Sequence, residues 1–234
     1  VELFDLPNFY KNMTGKVPLS YIDGKWLLAS GIHREGIGDF YLRIKRILDL
    51  LLASVFLVPA LPLMAVVALA IKLDSRGKVL FVQERLGEDK EFFKLLKFRT
   101  MVEDAEAQTG PQWASENDPR ITRVGRFLRK TRLDELPQLW NICRGDMSFV
   151  GPRPIRQHFA GQLEKLIPFY DLRFGVKPGL TGWAQVNHAY ASSDEEQMEK
   201  FQFELFYLQN MSLLLDLYII VKTIKTVLFG KGGQ

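Results

Sequence analysis

Two adjacent carboxylates, Asp134 and Glu135, follow a run of cationic side chains along the chain. The cations of this run are Arg120, Arg123, Arg126, Arg129, Lys130 and Arg132. Cationic side chains bind polyanionic ligands such as phosphates, whereas carboxylates bind metal ions or attack as nucleophiles. The combination predicts a protein that moves a phosphate-bearing group.

An ordinary structural role for Asp134 is the alternative, because aspartate is a common helix N-cap. If a helix begins at Glu135, Pro137 is its third residue, where the missing N–H group does no harm. A helix N-terminus also attracts phosphate, and neighbouring cations favour ionised Asp134. Consecutive helical side chains diverge by roughly 100°, so we expect one carboxylate to attack and the other to hold Mg²⁺, together with substrate phosphates.

A further candidate phosphate contact is Arg153, which stands between Pro152 and Pro154. The prolines restrict the backbone on both sides, and a guanidinium binds phosphate oxygens bidentately. The alternative is a rigid turn with an exposed arginine. In the segment 177–186, two glycines permit a close backbone approach, and Trp183 is either a platform for a nucleobase or part of the core.

The surrounding pattern predicts the elements that position these residues. Segments 79–86 and 92–98 are rich in β-branched and aromatic residues and predict a β-hairpin, whose second arm ends in Lys97 and Arg99. A polar loop with a short helix is expected over 101–120. We predict helices at about 121–131, 135–143, 155–167, 194–209 and 212–228. The expected fold class is therefore α+β and mostly helical.

Residues 47–71 form an apolar segment of membrane-spanning length, in which Asp49 is the one charged residue. Pro59 and Pro62 lie near its middle, and each removes one backbone hydrogen bond from a helix. Both flanks are basic, and basic flanks prefer the cytoplasmic side of a membrane. We therefore expect a re-entrant membrane helix-break-helix at about 44–72, broken at the two prolines. A buried core helix of a soluble protein is the alternative.

Composition narrows the function classes only in part. The chain has 234 residues, of which 47% are hydrophobic, and this suffices for one domain with a core. Its net charge of +4 fits nucleic acid, an anionic membrane or a phosphorylated substrate. The single cysteine, Cys143, excludes an internal disulfide, and kinase or dinucleotide motifs are absent. The apolar last helix, with Lys222 and Lys225 near its end, is either an amphipathic interfacial helix or a core helix.

Taken in order, the motifs of this chain resemble those of the bacterial sugar transferase family, the monotopic phosphoglycosyl transferases. The matching elements are Lys45, Arg46 and Asp49 before the proline-containing apolar segment, and the segments 82–87, 97–101, 117–120, 133–141, 144–154, 177–186 and 215–217. Several motifs in a fixed order are more specific than any single one. Residues 41–234 resemble the catalytic domain, and residues 1–40 resemble the connector that follows an upstream region in the large members. The family often has serine before the helix-breaking proline, where this chain has Val58.

The resemblance implies a UDP-sugar as donor, Mg²⁺ as cofactor and membrane polyprenol (undecaprenyl) phosphate as acceptor. It makes Asp134 the nucleophile that releases UMP and carries the phosphosugar covalently. Glu135 is implied as its catalytic partner, and both carboxylates as metal ligands. Arg153 is implied as a phosphate contact. The other implied site residues are Lys97, Arg99, Asp118, Arg132 and Asp146.

The product would initiate an exopolysaccharide or another surface glycan at the cytoplasmic face of the bacterial inner membrane. We expect a membrane partner and no nucleic acid, and the resemblance to the large members suggests a homodimer. A Mg²⁺-dependent diphosphate hydrolase and an inactive membrane scaffold for polysaccharide assembly are the alternatives. The apolar segment favours a lipid acceptor over water, and the intact Asp134, Glu135 and Arg153 argue against an inactive scaffold.

Overall fold

The structure is a computed structural model that describes residues 6–22, 38–103, 105, 110, 118–188 and 193–228. In this part of the chain the α-helices and strands are, in order, α1 (Leu6–Thr14), α2 (Asp39–Asp74), β1 (Leu80–Leu86), β2 (Phe92–Phe98), α3 (Arg123–Thr131), α4 (Gln138–Arg144), β3 (Ser148–Val150), α5 (Gln157–Leu166), β4 (Gly179–Thr181), α6 (Trp183–Asn187), α7 (Asp194–Gln209) and α8 (Leu213–Leu228). The fold is mostly helical α+β, as predicted. The loop predicted over 101–120 lies largely outside the described residues.

The predicted hairpin is confirmed. β1 and β2 pair antiparallel, from Leu80 opposite Phe98 to Leu86 opposite Phe92. Because side chains alternate across a strand, Lys97 shares a face with Leu95. Leu95 is buried in a cluster with Leu139 and Ile142 of α4. The hairpin therefore directs Lys97 toward the segment that carries the two carboxylates.

A small parallel sheet was not predicted. β3 and β4 pair through Ser148 with Gly179 and Val150 with Thr181. Strands of three residues are too short to show a period in the sequence. Just after β3, a Cβ on Gly151 would lie 2.4 Å from the carbonyl oxygen of Lys177, so only glycine fits this close backbone approach. This close approach of Gly151 to Lys177 fixes the start of the loop that carries Arg153.

The long helix α2 spans 36 residues and continues through Pro59 and Pro62. The predicted break is therefore not an interruption of the helix. Each proline removes one hydrogen bond, and the bonds of the neighbouring turns maintain the helix. A bend of the helix axis at these prolines stays a prediction.

One face of α2 packs against the rest of the protein along most of its length. Its buried residues are Lys45, Asp49, Ala53, Ala60, Val67 and Ile71. These positions are four or seven residues apart, so they form one stripe along the helix. Large apolar side chains on the remaining surface are exposed, including Val58 (70%) and Leu73 (80%). The alternative of a buried core helix fails, because only 17% of the most apolar 18-residue stretch of α2 is buried.

By length and composition, α2 is the one helix among the described residues that is able to cross a membrane. α8 shows a similar division of its surface. Asp216 and Ile219 are buried, whereas Leu214, Leu217 and Val221 are more than half exposed. This partition favours the interfacial interpretation of α8 over the core interpretation.

The largest core cluster lies among α5, α7 and α8 and includes Phe159, Phe201, Leu205 and Ile219. The segment after α1 joins this core through Val17, which is 2% exposed. The indole N–H of Trp183 donates to the carbonyl oxygen of Gly15 at 2.8 Å, and its ring stacks on Phe206. Of its two predicted roles, Trp183 therefore has the one in the core.

Candidate active site

The two carboxylates lie in a tight turn between α3 and α4. Arg132 ends α3 with a positive φ of 59°, and Leu133–Glu135 form one turn of 3₁₀-helix. α4 begins only at Gln138, because Pro137 has no N–H group with which to continue the hydrogen bonding. The prediction that Asp134 caps a helix beginning at Glu135 is wrong. Asp134 instead lies inside the turn, where it is 6% exposed.

Glu135 forms ion pairs with three cationic side chains from different parts of the chain. Its Oε1 lies 2.8 Å from Arg153, 3.3 Å from Lys97 and 3.6 Å from Arg132. Burial alone would raise the pKa of Glu135, but the charges of Arg153, Lys97 and Arg132 outweigh it and hold this pKa well below its usual range. Glu135 is therefore ionised throughout the physiological pH range.

Asp134 has the opposite character. Its Oδ1 is buried and has no hydrogen-bond partner among the described residues. Burial raises the pKa of Asp134, and the negative charge of Glu135 raises it further. Lys97, Arg132 and Arg153 oppose this shift without cancelling it. We expected neighbouring cations to favour ionised Asp134, but its pKa is raised. Buried surroundings disfavour the charged form of a carboxyl group.

A buried asparagine fixes the hairpin relative to α4. The side-chain oxygen of Asn141 accepts from the N–H of Leu96 at 3.0 Å, and its amide group donates to the carbonyl oxygen of Lys94 at 2.7 Å. The same amide donates to Asp146 at 3.1 Å. Since Asn141 is completely buried, these bonds set the position of β2, and with it that of Lys97, against the acidic turn.

Arg153 projects from a loop that is held by its backbone carbonyl groups. Arg85 donates to the carbonyl oxygen of Pro154 at 3.3 Å, and Arg173 donates to that of Arg153 at 2.8 Å. The adjacent prolines limit the backbone on both sides. The alternative of an exposed arginine is not seen, because Arg153 is half-buried and its guanidinium binds Glu135 at 2.8 Å.

The structure brings together four of the predicted site residues around Asp134: Glu135, Lys97, Arg132 and Arg153. It places three others elsewhere. Arg99 donates to the carbonyl oxygens of Ser75 and Arg76 at the end of α2. Asp118 binds Arg120 at 2.6 Å. Asp146 binds Asn141 and lies 3.5 Å from Arg144.

Residues of α7 near this site were missed from the sequence. Glu204 forms a buried ion pair with Arg173 at 2.8 Å. The pKa of Lys200, one turn earlier, is lowered to about 8 by burial and by the charges of Arg173 and Arg153, while the charge of Glu204 opposes this shift. The available signal was a lysine and a glutamate spaced by four on one helix, which resembles an ordinary surface pair.

The sequence pattern of the bacterial sugar transferase family matches residues 40–230. The chain belongs to this family. A UDP-N-acetylgalactosamine-undecaprenyl-phosphate N-acetylgalactosaminephosphotransferase of Aeromonas hydrophila is 38% identical over 239 residues, covering 100% of this chain and 54% of that protein. A UDP-glucose:undecaprenyl-phosphate glucose-1-phosphate transferase of Escherichia coli strain K12 is 44% identical, covering 77% of this chain and 39% of that protein.

An exopolysaccharide production protein of Rhizobium leguminosarum bv. phaseoli is 41% identical and is matched over 98% of its length, by 81% of this chain. By contrast, this chain spans about half or less of the Aeromonas and Escherichia proteins. The region that carries the family's motifs therefore makes up nearly the whole of one relative and only part of the two longer ones.

Among the described residues, no group of three or more histidine, cysteine or acidic side chains is arranged to hold a metal ion. The two adjacent carboxylates of the acidic turn would nevertheless suit Mg²⁺. The buried Oδ1 of Asp134 has no hydrogen-bond partner among those residues, and Glu135 is its neighbour. Mg²⁺ is typically bound by one or two carboxylates while substrate phosphates and water complete its coordination.

Proposed function

We propose that this sugar transferase moves a sugar-1-phosphate from a UDP-sugar to membrane polyprenol phosphate. The observation that carries the proposal is the buried, unbonded oxygen of Asp134 beside a carboxylate that gathers three cations. The names of the Aeromonas and Escherichia relatives state this type of transfer. The proposed product initiates an exopolysaccharide or another surface glycan.

In the first step, the carboxylate of Asp134 attacks the phosphorus on the sugar side of the diphosphate. A bond forms between Oδ1 and phosphorus while the bond to the bridging oxygen breaks, and its electron pair leaves on UMP. In the second step, an oxygen of polyprenol phosphate attacks the same phosphorus and releases the Asp134 carboxylate. A nucleophile without a hydrogen-bond partner is suited to this role, since no bond within the protein has to be broken before the attack.

The cations around Glu135 are placed to bind the diphosphate. Arg153 offers a planar pair of donors, and Lys97 and Arg132 add two further positive charges beside the attacked phosphorus. Asp134 and Glu135 would hold Mg²⁺, which when bound neutralises phosphate charge. Glu135 also keeps Lys97 and Arg153 ordered beside Asp134 before the donor arrives.

We further propose that α2 enters and leaves the membrane by the same face. Near its first end, Lys45 binds Asp216 of α8 at 2.6 Å. Just beyond its last residue, the backbone and hydroxyl of Ser75 accept from Arg99 at 2.8 and 2.9 Å. Both ends are thus attached to the domain that carries the acidic turn. A bend at Pro59 and Pro62 would bring the exposed apolar surface into the lipid and leave the active site at the cytoplasmic face of the inner membrane.

The test is a UMP-release assay with Mg²⁺ and a panel of UDP-sugars, with and without polyprenol phosphate in detergent micelles. The panel starts from UDP-N-acetylgalactosamine and UDP-glucose, the donors named for two relatives. Transfer predicts continuous UMP release only when the lipid is present. Continuous UMP release without lipid would instead support the diphosphate hydrolase. The absence of UMP release with every donor would support the inactive scaffold.

A further inference from the structure

Arg153 is supported from behind by a buried ion pair. Arg173, in the 3₁₀-helix Tyr170–Gly175, binds both carboxylate oxygens of Glu204, at 2.8 and 2.9 Å. Both residues are only 4% exposed. Burying two charges has a large desolvation cost, so such a pair is weak as a source of stability. Its contacts point to a role other than stability.

The geometry of the pair directs a hydrogen bond at Arg153. The Nη2 atom of Arg173 that binds Glu204 also donates to the carbonyl oxygen of Arg153 at 2.8 Å. Two bonds to one carboxylate fix the plane of the guanidinium. The rings of Tyr170 and Phe174 lie 5.1 and 5.5 Å from it and restrict it further. The donor therefore has one direction available, toward Arg153.

The position of this carbonyl decides where the Arg153 side chain points. The prolines at 152 and 154 leave little backbone freedom, so fixing the carbonyl group fixes the direction of the side chain. The guanidinium of Arg153 then reaches Glu135 at 2.8 Å. A continuous set of contacts thus runs from Glu204 through Arg173 and Arg153 to the acidic turn.

We infer that Arg173 and Glu204 are positioning residues, which act on transfer through Arg153 without touching the substrate. This inference rests on the proposed function, because Arg153 is taken as a diphosphate contact. Lys200 lies one turn before Glu204 on α7, so its side chain borders the same ion pair.

The test is a double-mutant cycle. The variant R173M/E204L removes both charges together, and replacing a whole buried pair with apolar residues is often neutral for stability. It is made in the wild-type chain and in R153Q. The matched control is K16M/E199L, which removes another ion pair that involves the same helix. The measured quantities are kcat/KM for the UDP-sugar and, independently of turnover, the affinity for UMP by calorimetry.

We expect R173M/E204L to lower kcat/KM on the order of 10- to 100-fold in the wild-type chain, as a displaced substrate contact does. In R153Q the same change should cost less than about threefold, because the residue it acts through is already lost. K16M/E199L should leave kcat/KM unchanged. The affinity for UMP should show the same dependence on the background.

Equal losses in both backgrounds would show a merely structural role and overturn the inference, as would full activity of R173M/E204L. If that variant does not fold, as judged by circular dichroism, E204Q takes its place in the same cycle, with the same two outcomes deciding. Failure of the proposed function is a separate result, since the unmodified chain would then release no UMP with any donor in the presence of lipid.

Discussion

At the scale of residues, the two neighbouring carboxylates have environments that push their pKa values in opposite directions. Three cations hold the pKa of Glu135 well below its usual range, whereas burial raises that of Asp134. Carboxyl pairs whose pKa values are separated in this way divide their roles in catalysis. Under the proposed function, Glu135 keeps a constant charge and organises cations, and the ionisation of Asp134 limits the reaction at low pH.

This division predicts a pH effect at Lys97. The charge of Lys97 lowers the pKa of Asp134, so K97M should raise that pKa further. Because attack needs ionised Asp134, the acidic limb of the kcat/KM profile should move to higher pH in K97M, in addition to a loss at the optimum. The measurement is a pH profile of UMP release. K94M is the control, since Lys94 projects from the other face of the strand. An acidic limb at the same pH in K97M would contradict the assignment.

At the scale of elements, two cations at the end of β2 have different partners. Lys97 lies in β2 and contacts Glu135, whereas Arg99 follows the last residue of the strand. In the sequence the two cations are two residues apart and look equally suited to bind phosphate. In the structure Arg99 binds the carbonyl oxygens that follow α2 and is 7% exposed. These bonds satisfy acceptors at the end of a helix, where no intrahelical donor is available. Arg99 thus connects α2 to the hairpin.

A comparison of two arginine variants tests this difference. We expect R99Q to lower the melting temperature, because it removes the donors that bind the carbonyl oxygens of Ser75 and Arg76, and to leave the KM for the UDP-sugar unchanged. R153Q should raise this KM, with a smaller effect on melting. The measurements are thermal unfolding in detergent and steady-state kinetics of each variant. A raised KM in R99Q at unchanged stability would restore Arg99 as a substrate contact.

The elements that the sequence predicted are those with a clear period or composition. The hairpin and α7 follow this rule, and the observed α7 has the predicted bounds. The start of α4 was misplaced, since Glu135 ends a separate 3₁₀ turn and α4 begins only after Pro137, at Gln138. The β3–β4 sheet and the contact of Arg173 with Arg153 depend on residues distant in sequence, which no local pattern encodes.

At the scale of the whole molecule, the exposed apolar surfaces of α2 and α8 are joined at one end. Lys45 and Tyr41 of α2 both bind Asp216 of α8, at 2.6 and 2.9 Å. The two helices that this contact joins both expose large apolar side chains, including Val58 and Leu214. Exposed apolar helix faces suit a lipid interface, and under the proposed function this interface would bring a lipid phosphate to Asp134.

The re-entrant topology predicts where a membrane-impermeant thiol reagent reacts. In a C143S background reconstituted into sealed vesicles, single cysteines replace Arg43 and Lys78, which flank the apolar segment and are exposed. Both cysteines should be labelled from the same side of the vesicle membrane. A cysteine at Val58 should resist the reagent, although this position is 70% exposed in the protein. Labelling of the two flanks from opposite sides would contradict the topology.

The most direct test of the central claim is the intact mass of the protein after incubation with Mg²⁺ and the UDP-sugar that supports turnover, in the absence of lipid. The account predicts a mass increase of one phosphosugar, located on Asp134 by peptide mapping, together with at most one UMP per protein. Addition of polyprenol phosphate should remove the added mass, and D134N should show neither adduct nor turnover. Unmodified wild-type protein that still transfers sugar phosphate, or fully active D134N, would contradict the account.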